Sequence, residues 1–430
     1  MSETEKSVVR CALTGDAVTH IRHRSGLDIW VWEQPQSCSA YGVFATRYGS
    51  VYNILPTADG GQEELPAGIA HYLEHKLFES EDGSADERFA ETGADANAYT
   101  EFSRTAYLFE ATENIVPSLD ILLDFVTHPY FTPETVEKER GIIEQEIRMG
   151  EDRPGARILR DMLGGLYHCH PVRLDIAGSV SSIAEITAER LYRCYERYYD
   201  LRNMVLVVAG RITADEVIDC ADRHLPQTAP PPAAPGYFRP ILPDEPDGTA
   251  TARTERTMPV SAPLFYLGIK EPPAPADPMS AAGDRLIRML IANNSRPLYG
   301  RLMAQGLINH SFGAGYFSGP GFGTWLFGGE STDPDRVAHE ILEEIRRLQR
   351  DGVTERELEP LRRAWYGNAV SSFEQAGACA EILLDDLIDG LAPFSVLEAL
   401  TKITPEEITR QLRRRLPTEA HTLSIVRPAT

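Results

Sequence analysis

The chain repeats itself, and a duplicated unit restricts the folds open to it more than any other feature. Thr105-Ala106-Tyr107-Leu108-Phe109 aligns with Thr324-Trp325-Leu326-Phe327, and Ile186-Thr187-Ala188-Glu189 aligns with Ile403-Thr404-Pro405-Glu406. Thr132 opens a helical segment as Thr354 does, and the three separations, 219, 222 and 217 residues, are nearly constant. Such a period indicates two copies of one supersecondary unit. Each copy reads as a strand-rich segment followed by amphipathic helices, so the expected class is α+β, an antiparallel sheet in each repeat covered by helices on one side. Residues 226–248 (PQTAPPPAAPGYFRPILPDEPDG) carry eight prolines and little to anchor a core. They predict a semi-rigid linker between residues 1–225 and residues 249–430.

One short string sets the two halves apart. Residues 71–75 read His71-Tyr72-Leu73-Glu74-His75. On a helix, positions 71, 74 and 75 share a face, which brings two imidazoles and a carboxylate into one small volume. Two neutral imidazoles four residues apart can chelate one Zn²⁺ and leave the carboxylate between them free for proton transfer with water. Pro66 suits the first turn of such a helix, Glu63 and Glu64 suit its positive end, and Ile69, Leu73 and Leu77 form a separate apolar stripe. Core packing therefore does not require the histidines.

A catalytic zinc site takes three protein ligands. The segment Thr135 to Met149 (TVEKERGIIEQEIRM) can supply the third, with Val136, Ile142, Ile143 and Ile147 as its apolar set. Glu139 and Glu146, seven residues apart, lie on one stripe and can face one site, while Glu137 and Glu144 read as solvated.

The string H-x-x-E-H followed by a helix with E-R-x-x-x-x-x-E resembles the insulinase/pitrilysin family of zinc peptidases, in a bacterial branch related to mitochondrial processing peptidase. The resemblance implies a zinc-dependent endopeptidase acting on extended peptides, with one Zn²⁺ per chain. His71, His75 and Glu146 would be its ligands, and Glu74 and Glu139 its catalytic carboxylates, Glu74 as base and Glu139 as support. Further matches are Asn97-Ala98-Tyr99-Thr100, similar to the family's peptide-docking edge strand, Thr105 to Phe109 as its partner, His170-Pro171 with Gly178, and the strand Asn203 to Gly210. Asn97, Ala98, Tyr99 and Thr100 are thus the substrate-binding candidates. The 71 residues from His75 to Glu146 are slightly fewer than the family usually shows. The position corresponding to the string in the second half, near Arg288 to Asn293, holds no such set, so only the first half is expected to bind metal.

One departure bears on partners. Where the family has R-x-x-x-G-L-x-Y, this chain has Leu302-Met303-Ala304-Gln305-Gly306-Leu307-Ile308-Asn309. Either Arg301 and Tyr316 substitute from shifted positions or another polypeptide supplies the pair. The second alternative implies a heterodimer with a related zinc-less subunit, with a homodimer as the next choice. A non-catalytic assembly subunit of the same fold is the alternative function.

Composition narrows the remaining classes. The net charge is −22, and residues 1–248 contribute −19 of it against −3 from residues 249–430. That opposes phosphate contacts, so nucleic acid is not an expected partner. No apolar run approaches membrane-spanning length, and the start MSETEKSVVR lacks the apolar core of a signal peptide, which points to a cytoplasmic protein. Six scattered cysteines without a C-x-x-C pair read as reduced thiols. His168-Cys169-His170 is a second cluster that could tempt a metal assignment; a surface segment is the expected reading.

Overall fold

A computed structural model describes residues 4–57, 60–81 and 83–429; the first three residues of the MSETEKSVVR start lie outside them. The chain forms two compact units, one of residues 1–145, 176–241 and 369–394, the other of residues 146–175, 242–368 and 395–430. The division falls inside two continuous helices, Pro133–Glu151 and Glu355–Ser372.

The first unit is built on a seven-stranded sheet. Its strand order is Glu5–Arg10, Ala17–Arg22, Asp28–Glu33, Met204–Gly210, Ala40–Thr46, Thr105–Ala111 and, at the edge, Asp95–Thr100. The second unit holds five strands, in the order Arg253–Met258, His421–Pro428, Leu264–Glu271, Phe322–Glu330 and Gly313–Gly319. These five repeat the last five of the first sheet strand for strand. Thr105 and Thr324 fall in equivalent strands, while Thr187 and Thr404 cap equivalent helices, Ala188–Tyr198 and Pro405–Arg415. Each sheet contains one parallel pair, Asp28–Glu33 with Met204–Gly210 and Arg253–Met258 with His421–Pro428. The sheets are otherwise antiparallel, as expected; in each parallel pair the later strand returns after the repeat's helices, and a long crossover permits a parallel neighbour.

The compact units do not coincide with the expected halves 1–225 and 249–430. Each sheet has two apolar faces, and the helices of its own repeat cover one. In the first unit Tyr107 packs toward Phe125 of the helix Ile115–Thr127. Tyr41 and Tyr99 face the other way, and both donate to Glu381 of the helix Ala376–Ile388, at 2.7 and 2.8 Å. In the second unit the helix Pro154–Leu166 does the same service: Ile158 packs with Met258 and Val426, and Gly268 leaves room for Met162, which a Cβ would meet at 2.7 Å. Each repeat therefore lends one helix to the opposite sheet. Residues 226–248 form neither helix nor strand.

His168, Cys169 and His170 belong to the second unit and are not gathered as metal ligands. Their three amide N–H groups donate to the Glu245 carboxylate at 2.8 Å each, and Lys270 Nζ donates to it at 2.6 Å. His170 is buried; its Nδ1 accepts from the Val172 amide and its Nε2–H donates to the Pro320 carbonyl. Burial opposes ionisation of Glu245, but the ammonium and the three amides outweigh it and push its pKa down to about 2. A depressed carboxylate contributes stability that is complete above its ordinary value near 4.5 and is lost as the pH falls toward 2. Glu245→Gln is expected to cost on the order of 3 kcal/mol at neutral pH. The deficit should shrink as denaturation is followed toward pH 3; a pH-independent deficit would contradict the assignment.

Candidate active site

The helix Ile69–Leu77 begins abruptly. Gly68 caps it at φ +94°, and a Cβ there would meet the Ala177 carbonyl oxygen at 2.4 Å, so only glycine fits. Pro66 precedes the first turn, and Glu63 lies on the strand Gln62–Glu64, where it pairs with Arg190 and Arg193 and not with the helix end. Ile69, Leu73 and Leu77 are buried, as their spacing predicts. His71 and Glu74 are also nearly buried, while His75 is partly open to solvent.

Two contacts pin this helix to Pro133–Glu151: the Tyr72 hydroxyl donates to the Val136 carbonyl, and His75 Nδ1 lies 3.0 Å from Glu139 Oε1. An ionised carboxylate only accepts, so the proton sits on Nδ1 and the lone pair of His75 is on Nε2. Two turns further along the same helix stands Glu146. One donor atom each from His71, His75 and Glu146 lies within 4.8 Å of the others, and among the described residues no other group of three His, Cys, Asp or Glu side chains gathers so closely. Two imidazoles and a carboxylate at that spacing, one imidazole fixed in the ligating tautomer, fit a zinc ion. Glu137 is exposed and pairs with Arg140. Ile142, expected in the apolar set, is half exposed, whereas Val136, Ile143 and Ile147 are buried.

Behind Glu74 stands the edge strand Asp95–Thr100. Thr100 Oγ1 donates to Glu74 Oε2 at 2.5 Å, and the Tyr107 and Tyr199 hydroxyls, 2.8 Å apart, close the rear of the site. Burial above all keeps both phenols protonated, and the nearby Glu74 charge adds to that. Tyr99 faces away, toward Glu381, with Arg104 over its ring. Asn97 is exposed. The Glu101 amide donates to the Arg104 carbonyl, which sets the hydrogen-bond phase of the hairpin: Asn97 and Tyr99 bond inward, and Ala96, Ala98 and Thr100 present their main chain outward. Of those outward groups the Ala98 amide is held by Asn97 Oδ1 at 2.8 Å.

The four substrate-binding candidates thus divide. Ala98 offers backbone at a sheet edge, Asn97 covers it, Thr100 is committed to Glu74, and Tyr99 anchors the strand. Glu381, which holds Tyr99 in place, is 282 residues away in sequence, and no local pattern reveals it. Glu139→Gln is expected to weaken zinc binding about 10–100-fold, because the amide cannot hold the His75 tautomer as a carboxylate does. Competition against a zinc chelator measures it, and equal affinity would exclude the supporting role.

Comparison with known proteins agrees with this fold. The model described as insulinase (peptidase family M16) matches residues 60–179, and the model described as peptidase M16 inactive domain matches residues 185–364. The chain belongs to the insulinase family, peptidase family M16. It is 32% identical over 422 residues to the zinc protease YmfH of Bacillus subtilis, covering 96% of this chain and 97% of that one. It is 27% identical over 191 residues to a protein named probable mitochondrial-processing peptidase subunit beta in Schizosaccharomyces pombe, 43% of this chain and 42% of the other. The crystal structure of an M16-like peptidase from Alicyclobacillus acidocaldarius superposes with a TM-score of 0.89 at 32% identity, covering 100% and 99% of the two chains. These relatives support a peptidase role that uses zinc. Among the described residues no helix is long and apolar enough to cross a membrane.

Proposed function

We propose that this chain is a zinc-dependent endopeptidase that cleaves extended peptides. The observation that carries the reading is the convergence of His71, His75 and Glu146 donor atoms within 4.8 Å, on the two helices that also carry Glu74 and Glu139. Bound there, zinc would supply a Lewis acid that polarises the scissile carbonyl and acidifies water. His71, His75 and Glu146 would hold it, and Glu139 would fix the His75 ring.

Glu74 is the base. It takes a proton from the attacking water and returns it to the departing amine, and Thr100 orients its carboxylate through Oε2. An extended peptide adds to the sheet edge beside Ala96, Ala98 and Thr100, displacing the Asn97 side chain from the Ala98 amide. Such binding uses main-chain hydrogen bonds, which favours unfolded segments over folded proteins.

The Arg/Tyr pair favours a heterodimer as the active form. Leu302 is buried, Asn309 bonds Glu330, Arg301 pairs with Glu340, and Tyr316 packs on Trp325 beneath Arg415. Tyr316 is held in the packing of the second unit and Arg301 in a surface ion pair, which supports the reading that a related subunit supplies the missing groups. The isolated, zinc-loaded chain is then expected to bind zinc but to cut unfolded peptides slowly, and addition of the partner to accelerate it. Digestion of a peptide library followed by mass spectrometry tests this. Full activity of the chain alone removes the heterodimer; no cleavage with or without a partner, despite bound zinc, would leave an assembly subunit.

A further inference from the structure

The duplication gives the second unit a counterpart of the metal site. The helix Pro278–Ala292 stands in the second repeat where Ile69–Leu77 stands in the first, after the equivalent strand and against the edge strand Gly313–Gly319. Glu355–Ser372 is the counterpart of Pro133–Glu151. These three elements border an open cavity of about 400 Å³, lined by Arg285, Arg288, Met289 and Ala292 from the first helix, Asn293 just past its end, Ala314 from the edge strand and Trp365 from the second helix.

Its two cations have no direct partner. Among the described residues neither guanidinium is in a hydrogen bond or an ion pair, and Arg288 Nε is buried without a hydrogen-bond partner. Arg285 stacks over the Trp365 ring at 5.1 Å. The nearby Asp284 is taken by Arg415. Burial, and then the like charge of Arg285, push the Arg288 guanidinium below its ordinary value. Asp284 offsets this only in part, and two half-buried cations on one helix face, three residues apart and without a direct ion-pair partner, repel one another, which an anion between them would relieve.

We infer that this cavity is a carboxylate-binding site for a peptide, placed in the second repeat where the first repeat gathers its metal ligands. The guanidinium fork matches a carboxylate in two parallel hydrogen bonds. Apart from Asn293 the rest of the lining, Met289, Ala292, Ala314 and Trp365, is apolar or aromatic, which suits a carboxylate carried on an organic chain better than a bare inorganic ion. The flanking strand is a sheet edge, and a Cβ built at Gly313 meets nothing within 4 Å, so a peptide backbone can approach it. The net charge of −22 repels polyanions.

The carboxylate could be a peptide's C-terminus or an acidic side chain, and three probes separate them. Calorimetry on the full-length, metal-free chain would compare N-acetyl-pentaalanine with a free C-terminus, its C-terminal amide, and the same amide with glutamate at the centre. At least one carboxylate-bearing peptide is expected to bind tenfold or more tightly than the neutral amide, and the one that does identifies the source. Arg285→Gln and Arg288→Gln should each abolish that preference. Arg288→Gln should not lower the melting temperature, because it removes a cation without a direct partner, whereas Arg285→Gln also gives up the stack on Trp365. Equal binding of all three peptides, or a preference that survives both substitutions, overturns the inference. No turnover is measured, so failure of the peptidase reading leaves this result independent.

Discussion

Glu74→Gln is expected to retain zinc at the parent stoichiometry and to lose peptide turnover by about 10²–10⁴-fold, the usual contribution of a positioned general base. The substitution is nearly isosteric. A glutamine carbonyl oxygen can still accept from Thr100 Oγ1, which lies 2.5 Å from the present carboxylate, so the strand and the helix keep their spacing. Neither imidazole nor Glu146 is altered, and His75 keeps its bond to Glu139. What disappears is the capacity to take a proton, since an amide oxygen is far too weak a base at neutral pH. Zinc content measured by atomic absorption alongside kcat separates the two functions. A variant with full zinc and undiminished kcat would remove Glu74 from the mechanism.

His75→Ala attacks the other half of the site and should abolish stoichiometric zinc. It deletes one of three donors and leaves Glu139 facing an empty position, so the loss should exceed the 10–100-fold expected for Glu139→Gln. Glu146→Gln should act in the same direction, because a neutral amide oxygen is a poor ligand beside two imidazoles. Binding and folding are linked: at zinc concentrations about a thousand times its dissociation constant, the parent gains about 4 kcal/mol of stability. Its melting temperature should therefore rise with added zinc while that of His75→Ala stays fixed. A zinc-dependent rise of equal size in the variant would exclude His75 as a ligand.

The parts of the site legible in sequence are those whose geometry is local. His71, Glu74 and His75 meet because a helix brings positions 71, 74 and 75 to one face. Glu139 and Glu146 share a stripe because seven residues nearly equal two turns. The duplication was legible through capping threonines and strand residues that recur at a near-constant period. The apolar set of the acidic helix was less so. Ile142 is half exposed, since hydrophobicity alone does not say which side of a helix meets a core. Glu63 serves elsewhere, with Arg190 and Arg193, and the first turn is set by Gly68 against the Ala177 carbonyl, a contact across more than 100 residues.

The sequence by itself determined the duplicated α+β unit and singled out His71, His75 and Glu146 as candidate donors within one repeat, because periodicity and residue type are properties of the chain. Only the tertiary structure decided that each repeat lends a helix to the other repeat's sheet, that Glu381 holds the edge strand through Tyr99, and that Thr100 serves Glu74. It also decided that Arg285 and Arg288 share a cavity in the second repeat. The physical reason is the same in each case: an open sheet must cover both faces. The helix that covers the second face comes from wherever the chain returns, and neither composition nor spacing records where that is.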